Sequence, residues 1–106
     1  MGFFDFFKTP DINEELKKYQ STPGAVLLDV RTDEEYAEGR IPGSKNITPH
    51  ELNKIKKAVP DFATPLFVYC LSGARSRQAV SGLKSMGYTA VTDLGGIHHY
   101  HGTIER

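Results

Sequence analysis

Apolar positions along the chain fall into two patterns, short unbroken runs and longer spaced ones. Ala25 to Val30 and Leu66-Phe67-Val68-Tyr69 are unbroken runs rich in Val and Leu, as expected of strands buried on both faces. Thr89 to Leu94 reads as a third, last strand. The spaced pattern predicts helices. In Pro10 to Tyr19, residues Ile12, Leu16 and Tyr19 share a face. Thr22-Pro23-Gly24 then marks a turn. Thr32 followed by Glu35 is a capping-box signature. It opens a short helix that Gly39 and Pro42-Gly43 bring to an end. Pro49 to Val59 predicts one amphipathic helix, with Leu52, Ile55, Ala58 and Val59 inward. Gly73 to Met86 reads as loop and then helix, with Ala79, Val80, Leu83 and Met86 on one face and Gly87 as its stop. Gly95-Gly96 is expected to be a turn, and the tail from Ile97 a final helix or turn.

Strands that alternate with helices predict an α/β fold with a mostly parallel sheet covered on both faces. Sites in such sheets form outside the carboxyl ends of strands. Asp29-Val30-Arg31 and Cys70 both stand at predicted strand ends, so two polar clusters are expected on one edge.

Composition narrows the function. The 106 residues amount to one domain, read here as residues 9–106 behind an aromatic arm at 1–8. Lys+Arg and Asp+Glu are 13 each, so no basic excess points to nucleic acid or an anionic membrane. The longest apolar runs are far too short to span a bilayer. Met1-Gly2-Phe3-Phe4-Asp5-Phe6-Phe7-Lys8 does not read as a signal peptide, because Asp5 interrupts it and no small-residue cleavage site follows. Gly2 is placed for myristoylation, but Phe6 stands where Ser or Thr is wanted. The arm is expected to pack on the domain, the rival reading being an arm that binds a partner or dips into a membrane, and the expected location is the cytoplasm. Cys70 is the single cysteine. It has no partner for an internal disulfide, so any disulfide or persulfide formed there must be resolved by another molecule.

The segment Cys70-Leu71-Ser72-Gly73-Ala74-Arg75-Ser76 joins a strand end to a helix start. Its small residues let the backbone curl and turn N–H groups inward, which makes an anion nest. The following helix adds its partial positive end. A cysteine at the mouth of such a cradle ionises readily and serves as a nucleophile. A persulfide on it is also an anion, which the same N–H groups would hold. A structural cysteine is the competing reading, but one would be expected mid-strand among apolar residues.

Three ordered motifs resemble the rhodanese family. They are the stretch from Asp29-Val30-Arg31 to Pro42-Gly43-Ser44-Lys45-Asn46-Ile47, the loop Cys70 to Ser76, and Asp93-Leu94-Gly95-Gly96-Ile97. The likeness covers about residues 10 to 104. It implies a three-layer fold with about five parallel strands, and sulfur transfer through a cysteine persulfide. It places the nucleophile at Cys70 and the sulfur-binding cradle at Leu71, Ser72, Gly73, Ala74 and Arg75. The implied donor is thiosulfate or a persulfide, the acceptor a thiol or cyanide, with a thiol protein as a further acceptor. No cofactor or metal is implied. Four residues separate Cys70 from Arg75; phosphatases of related fold have one more, so phosphatase chemistry is disfavoured. The sequence departs from the family at four points. Leu71 stands where efficient thiosulfate users often carry a basic residue, Arg40 where His is usual, Ser44 where Ala is usual, and Tyr100 near the place of a Trp. Leu71 weakens the case for thiosulfate as the physiological donor.

Asp29, Arg31, Glu35 and Ser76 are expected to brace the loop. Glu35 has two candidate partners, Arg31 and Arg75. His98, His99 and His101 offer one pair at helical spacing, but a structural metal needs more ligands, so they are read as surface residues. Besides an enzyme, two readings stay open: a sulfur-relay subunit serving another protein, and a non-catalytic binding module of the same fold.

Overall fold

The computed structural model describes residues 11–106. The aromatic arm and Pro10 at the predicted helix start lie outside the described residues. Four parallel strands form one sheet in the order β2-β1-β3-β4: β1 Val26–Asp29, β2 Lys45–Asn46, β3 Leu66–Cys70 and β4 Val91–Gly96. Four α-helices accompany them: α1 Ile12–Gln20, α2 Asp33–Glu38, α3 Ile55–Ala58 and α4 Ala74–Met86. The α/β class and parallel sheet are as predicted, but the described residues hold four strands rather than about five. The extra strand that the alternation did not reveal is β2, only two residues long, too short to leave a periodic signal.

Strand β3 is buried at all five positions, and its alternation divides the interior. Leu66, Val68 and Cys70 face one apolar cluster with Ile55, Ala79 and Leu83. Phe67 and Tyr69 face the other, with Ile12, Leu16 and Ile97. The sheet is therefore covered on both faces, as an all-parallel sheet requires.

Two predicted elements come out differently. Pro49 to Val59 is not one α-helix. A 3₁₀ segment, Pro49–Lys54, kinks at Glu51 (φ −117°, ψ 22°) before α3 begins. Ile55 and Val59 are buried, whereas Ala58 faces solvent. The kink seats these two anchors without a continuous apolar stripe. The last strand starts later and runs through the predicted turn to Gly96. A register shift makes this possible: Val68 pairs with Asp93, but Tyr69 pairs with Gly95 and Cys70 with Gly96. The bulge at Leu94 slides the two glycines alongside the end of β3. Asp29 lies beside Tyr69, so Asp29, Cys70 and Gly96 share the carboxyl edge. No described helix is long and apolar enough to cross a membrane.

Candidate active site

Cys70 ends β3, and the chain turns through Leu71 and Ser72 into α4. Gly73 caps α4 at φ +113°, a left-handed conformation that glycine takes at little cost. This turn brings the Gly73 N–H onto Cys70 Sγ at 3.0 Å. The first N–H groups of α4 also lack intrahelical acceptors, so the sulfur sits at the positive end of a 13-residue helix. Cys70 itself has no solvent exposure. Its sulfur lies inside the loop rather than at the mouth.

Contacts from α2, β4 and the residues after β4 hold the loop. Arg75 forms a two-pronged pair with Glu35, at 2.8 Å and 3.1 Å. That hydrogen bond lowers the Glu35 carboxyl to about 2, and Glu35 in return holds Arg75 protonated. Glu35 also completes the capping box of α2 with Thr32, so one side chain ties the start of α2 to the start of α4. Buried Ser76 reaches Asp93 Oδ1 at 2.8 Å and the Gly73 carbonyl at 3.0 Å, and its single proton serves one at a time. Asp93 Oδ1 also accepts from the Gly95 N–H at 2.9 Å, which fixes the bulge. On the outer side, the His98 N–H donates to the Leu71 carbonyl at 3.3 Å. His98 Nδ1 approaches the same oxygen at 2.6 Å. A carbonyl only accepts, so Nδ1 carries the proton.

Asp29 and Arg31 stand one layer away. Fully buried Asp29 takes Arg31 Nε and Nη2 at 2.7–3.1 Å. Arg31 Nη2 also donates to the Gly39 carbonyl at 2.6 Å. Burial works against the charged guanidinium, but the bond to Asp29 together with the attraction of Asp29, Tyr69 and Glu35 outweighs it, and Arg31 is more basic than usual. This pair makes no hydrogen bond to residues 70–75. It fixes the turn from β1 into α2, and through that turn the position of Glu35. Asn46 closes the same turn by donating to the Asp29 and Arg31 carbonyls at 3.0 Å and 3.1 Å.

Glu35 thus sides with Arg75, not Arg31. Leu71 is exposed at 42%, Ser72 and Ala74 are exposed, and Arg75 is half-buried. Asp93, Gly96 and His98 are the contributors that sequence reasoning left without a role. Asp93 and Gly96 carried a signal in the third motif, whereas His98 was visible only as one of a histidine cluster. Among the described residues no group of three or more His, Cys, Asp or Glu side chains could hold a metal ion. The Tyr100 ring packs against the second apolar cluster, close to the place expected of the family's Trp.

The arrangement sets the Cys70 sulfur against a loop N–H at a helix start, and among the described residues no His, Asp or Glu side chain is hydrogen-bonded to it. In sequence and in fold the chain resembles known proteins. The family model described as Rhodanese-like domain matches residues 13–103. Thiosulfate sulfurtransferase PspE of Escherichia coli (strain K12) is 41% identical over 71 residues, covering 66% of this chain and 68% of its own length. Thiosulfate sulfurtransferase GlpE of Pseudomonas fluorescens is 36% identical over 73 residues, covering 69% and 66%. Among solved structures, a rhodanese with anions from E. coli superposes with a TM-score of 0.73 at 35% identity, covering 77% of this chain and 98% of the other. Human single-domain sulfurtransferase TSTD1 gives 0.71 at 29% identity, covering 88% and 96%.

Proposed function

The chain belongs to the rhodanese-like domain family, and from that premise we propose that it is a sulfurtransferase that carries sulfur as a persulfide on Cys70. The observation that carries this reading is the Gly73 N–H on Sγ at 3.0 Å, at the start of a helix. A thiolate there attacks the outer sulfur of the donor. A new S–S bond forms to Cys70, the donor's S–S bond breaks, and the leaving group departs with the electron pair as sulfite from thiosulfate or as a thiolate from a persulfide. The acceptor, cyanide or a thiolate, then attacks the outer sulfur and releases the Cys70 thiolate. No net oxidation occurs. The N–H groups that favour the thiolate also favour the persulfide anion, so both resting states are held by one cradle.

The six-residue loop from Cys70 to Arg75 suits a single sulfur. Arg75 is spent on Glu35, which supports a structural rather than an anion-binding part for it. Intact-protein mass spectrometry tests the proposal. Incubation with thiosulfate or a small persulfide is expected to add one sulfur atom to the wild type. The gain is expected to be absent in Cys70→Ser and removed by cyanide or dithiothreitol. Loading by the persulfide alone would favour a relay role. No loading from either, with Cys70 open to alkylation, would refute sulfur transfer and leave a binding module.

A further inference from the structure

Beside the loop lies a cleft of about 490 Å³ whose wall includes Leu71, Ile97, Tyr100 and Ile104. Among the described residues, three large apolar side chains are well exposed, and two of them, Leu71 at 42% and Ile104 at 37%, are on this cleft. Apolar exposure gathered in one place marks a surface that something covers. Backbone pairing fixes Ile104 there. Arg40 and Glu105 exchange backbone hydrogen bonds at 2.9 Å and 2.8 Å, and Ile104 packs so closely on Gly39 that a Cβ there would meet it at 2.9 Å. The rim is acidic, for Glu35 and Glu38 both line the cleft. Glu35 is paired with Arg75, whereas exposed Glu38 has no ion-pair partner among the described residues.

The start of α1 lies against the same wall. Asn13 donates to the His99 carbonyl at 3.0 Å and accepts the His101 N–H at 3.0 Å, which brackets the wall residue Tyr100. Ile12 and Tyr100 also share one apolar cluster. The chain ahead of Asp11 therefore joins the domain beside the cleft. That chain includes Met1-Gly2-Phe3-Phe4-Asp5-Phe6-Phe7-Lys8, four Phe in eight residues. The four steps from Phe6 to Pro10 span up to about 13 Å when extended, so reach is not limiting. Charge selects a face. Alternate residues of an extended segment share a face, so Phe4, Phe6 and Lys8 fall together, as do Phe3, Asp5 and Phe7. The first set matches the cleft, with two rings for Leu71 and Ile104 and an ammonium for Glu38. The second would set Asp5 against Glu35 and Glu38. At about 30 Å³ per heavy atom, the seven carbons of a benzyl group take roughly 210 Å³, so two of them fit the volume.

We propose that residues 1–8 dock on this cleft within their own chain, with Phe4 and Phe6 on the apolar wall and Lys8 toward Glu38, and so buttress Leu71. Tethering decides the occupant. A segment joined a few residues away meets the cleft at an effective concentration in the millimolar range, which a second copy does not reach at ordinary protein concentrations. A bilayer is a poorer match, because Lys+Arg and Asp+Glu balance at 13 each and add no pull toward anionic lipid. Leu71 is the loop's sole contribution to the cleft and directly follows Cys70, so the docked arm bears on the outer side of the loop. The contact is independent of the chemistry carried out at Cys70.

Methyl NMR of the full chain tests it, with the double substitution Phe4→Ser, Phe6→Ser as the arm variant. Cross-relaxation between Phe ring protons and the Leu71 and Ile104 methyls is expected in the wild type, unchanged on dilution, and lost in the arm variant. The double substitution Phe3→Ser, Phe7→Ser, on the opposite face, is expected to keep it. Alkylation of Cys70 by iodoacetamide reads the buttress. The arm variant is expected to react about tenfold faster, the weight of roughly 1.4 kcal/mol, close to the lower value for burying one Phe side chain. Absence of ring-to-methyl contacts in the wild type, or an alkylation rate in the arm variant within twofold of wild type, would overturn the proposal. Contacts found only between labelled and unlabelled chains would assign the cleft to a second copy and overturn it as well. So would an arm that carries the wild type, but not the arm variant, onto phosphatidylcholine vesicles without touching Leu71 or Ile104 in solution.

Discussion

Gly96→Ala isolates the contact on which the loop is seated. Parallel pairing places Gly96 opposite Cys70, and the Leu71–Ser72 backbone lies directly over it. A Cβ at Gly96 would meet the Leu71 carbonyl oxygen well inside contact distance, the Ser72 Cα at 2.8 Å and the Leu71 carbonyl carbon at 3.0 Å. All three are backbone atoms, so no side chain can swing away and the loop must retreat by about 1 Å to reach ordinary contact. Gly96 has φ −106° and ψ 137°, which any residue adopts, so the effect is one of space and not of backbone strain. Overpacking of this kind costs about 2 kcal/mol, a fall of roughly 10 °C in Tm for a domain this size. The displacement also pulls the Leu71 carbonyl from His98 and shifts the Gly73 N–H that sits on Sγ. A 1 Å misplacement of reacting groups lowers rates by about 10²-fold. The assay is the rate of persulfide loading on Cys70 together with calorimetry. Gly24→Ala is the control. It forces a side chain into φ +76° with no atom within 4 Å, so it costs about 1 kcal/mol or more of strain far from the site. Loading by Gly96→Ala at the wild-type rate, or slowed no more than by Gly24→Ala, would refute the seating argument.

Other expectations follow from the same contacts. Asp29→Asn leaves the Arg31 guanidinium buried without its counter-charge and is expected to destabilise by about 3 kcal/mol, read by chemical denaturation; a loss below about 1 kcal/mol would mean that water reaches Arg31. Glu35 has a carboxyl depressed from 4.5 to about 2, so its contribution is complete above about pH 4.5 and is lost as pH falls toward about 2. The stability gap between wild type and Glu35→Gln should therefore be widest near neutrality and narrow at pH 3, with a size near 1 kcal/mol for a partly exposed pair; a constant gap would contradict the pairing. His98→Ala keeps the backbone N–H on the Leu71 carbonyl but removes the shorter side-chain bond, and is expected to slow Cys70 loading up to about tenfold, the scale of one lost hydrogen bond of about 1.4 kcal/mol. His98→Asn, which can donate to the same oxygen, should restore part of the rate, and equal loss in both variants would argue against the clamp.

Much of this site was legible in the chain. The two apolar runs predicted β1 and β3, since strands buried on both faces admit little else. The Thr32–Glu35 capping box was visible because helix caps are local, two side chains and two N–H groups within four residues. Cys70 stood out because its neighbours, being small, had a purpose that a core cysteine would not need. The kink after Pro49 was not legible, because the apolar spacing of Leu52, Ile55 and Val59 fits a straight helix as well as a bent one. Nor was the path of β4, where the bulge at Leu94 depends on pairing with β3.

The sequence by itself determined most of the element types and the parallel α/β class, and it singled out Cys70 as the candidate nucleophile, because these depend on neighbours along the chain. Only the tertiary structure decided which arginine Glu35 holds, that Gly96 lies beneath Leu71, that His98 reaches back to the same carbonyl, and that Ile104 crosses to the wall of Leu71. Those partners are separated by 25 to 40 residues. Their meeting is set by strand register and by the bridge between Arg40 and Glu105, and no local pattern records either.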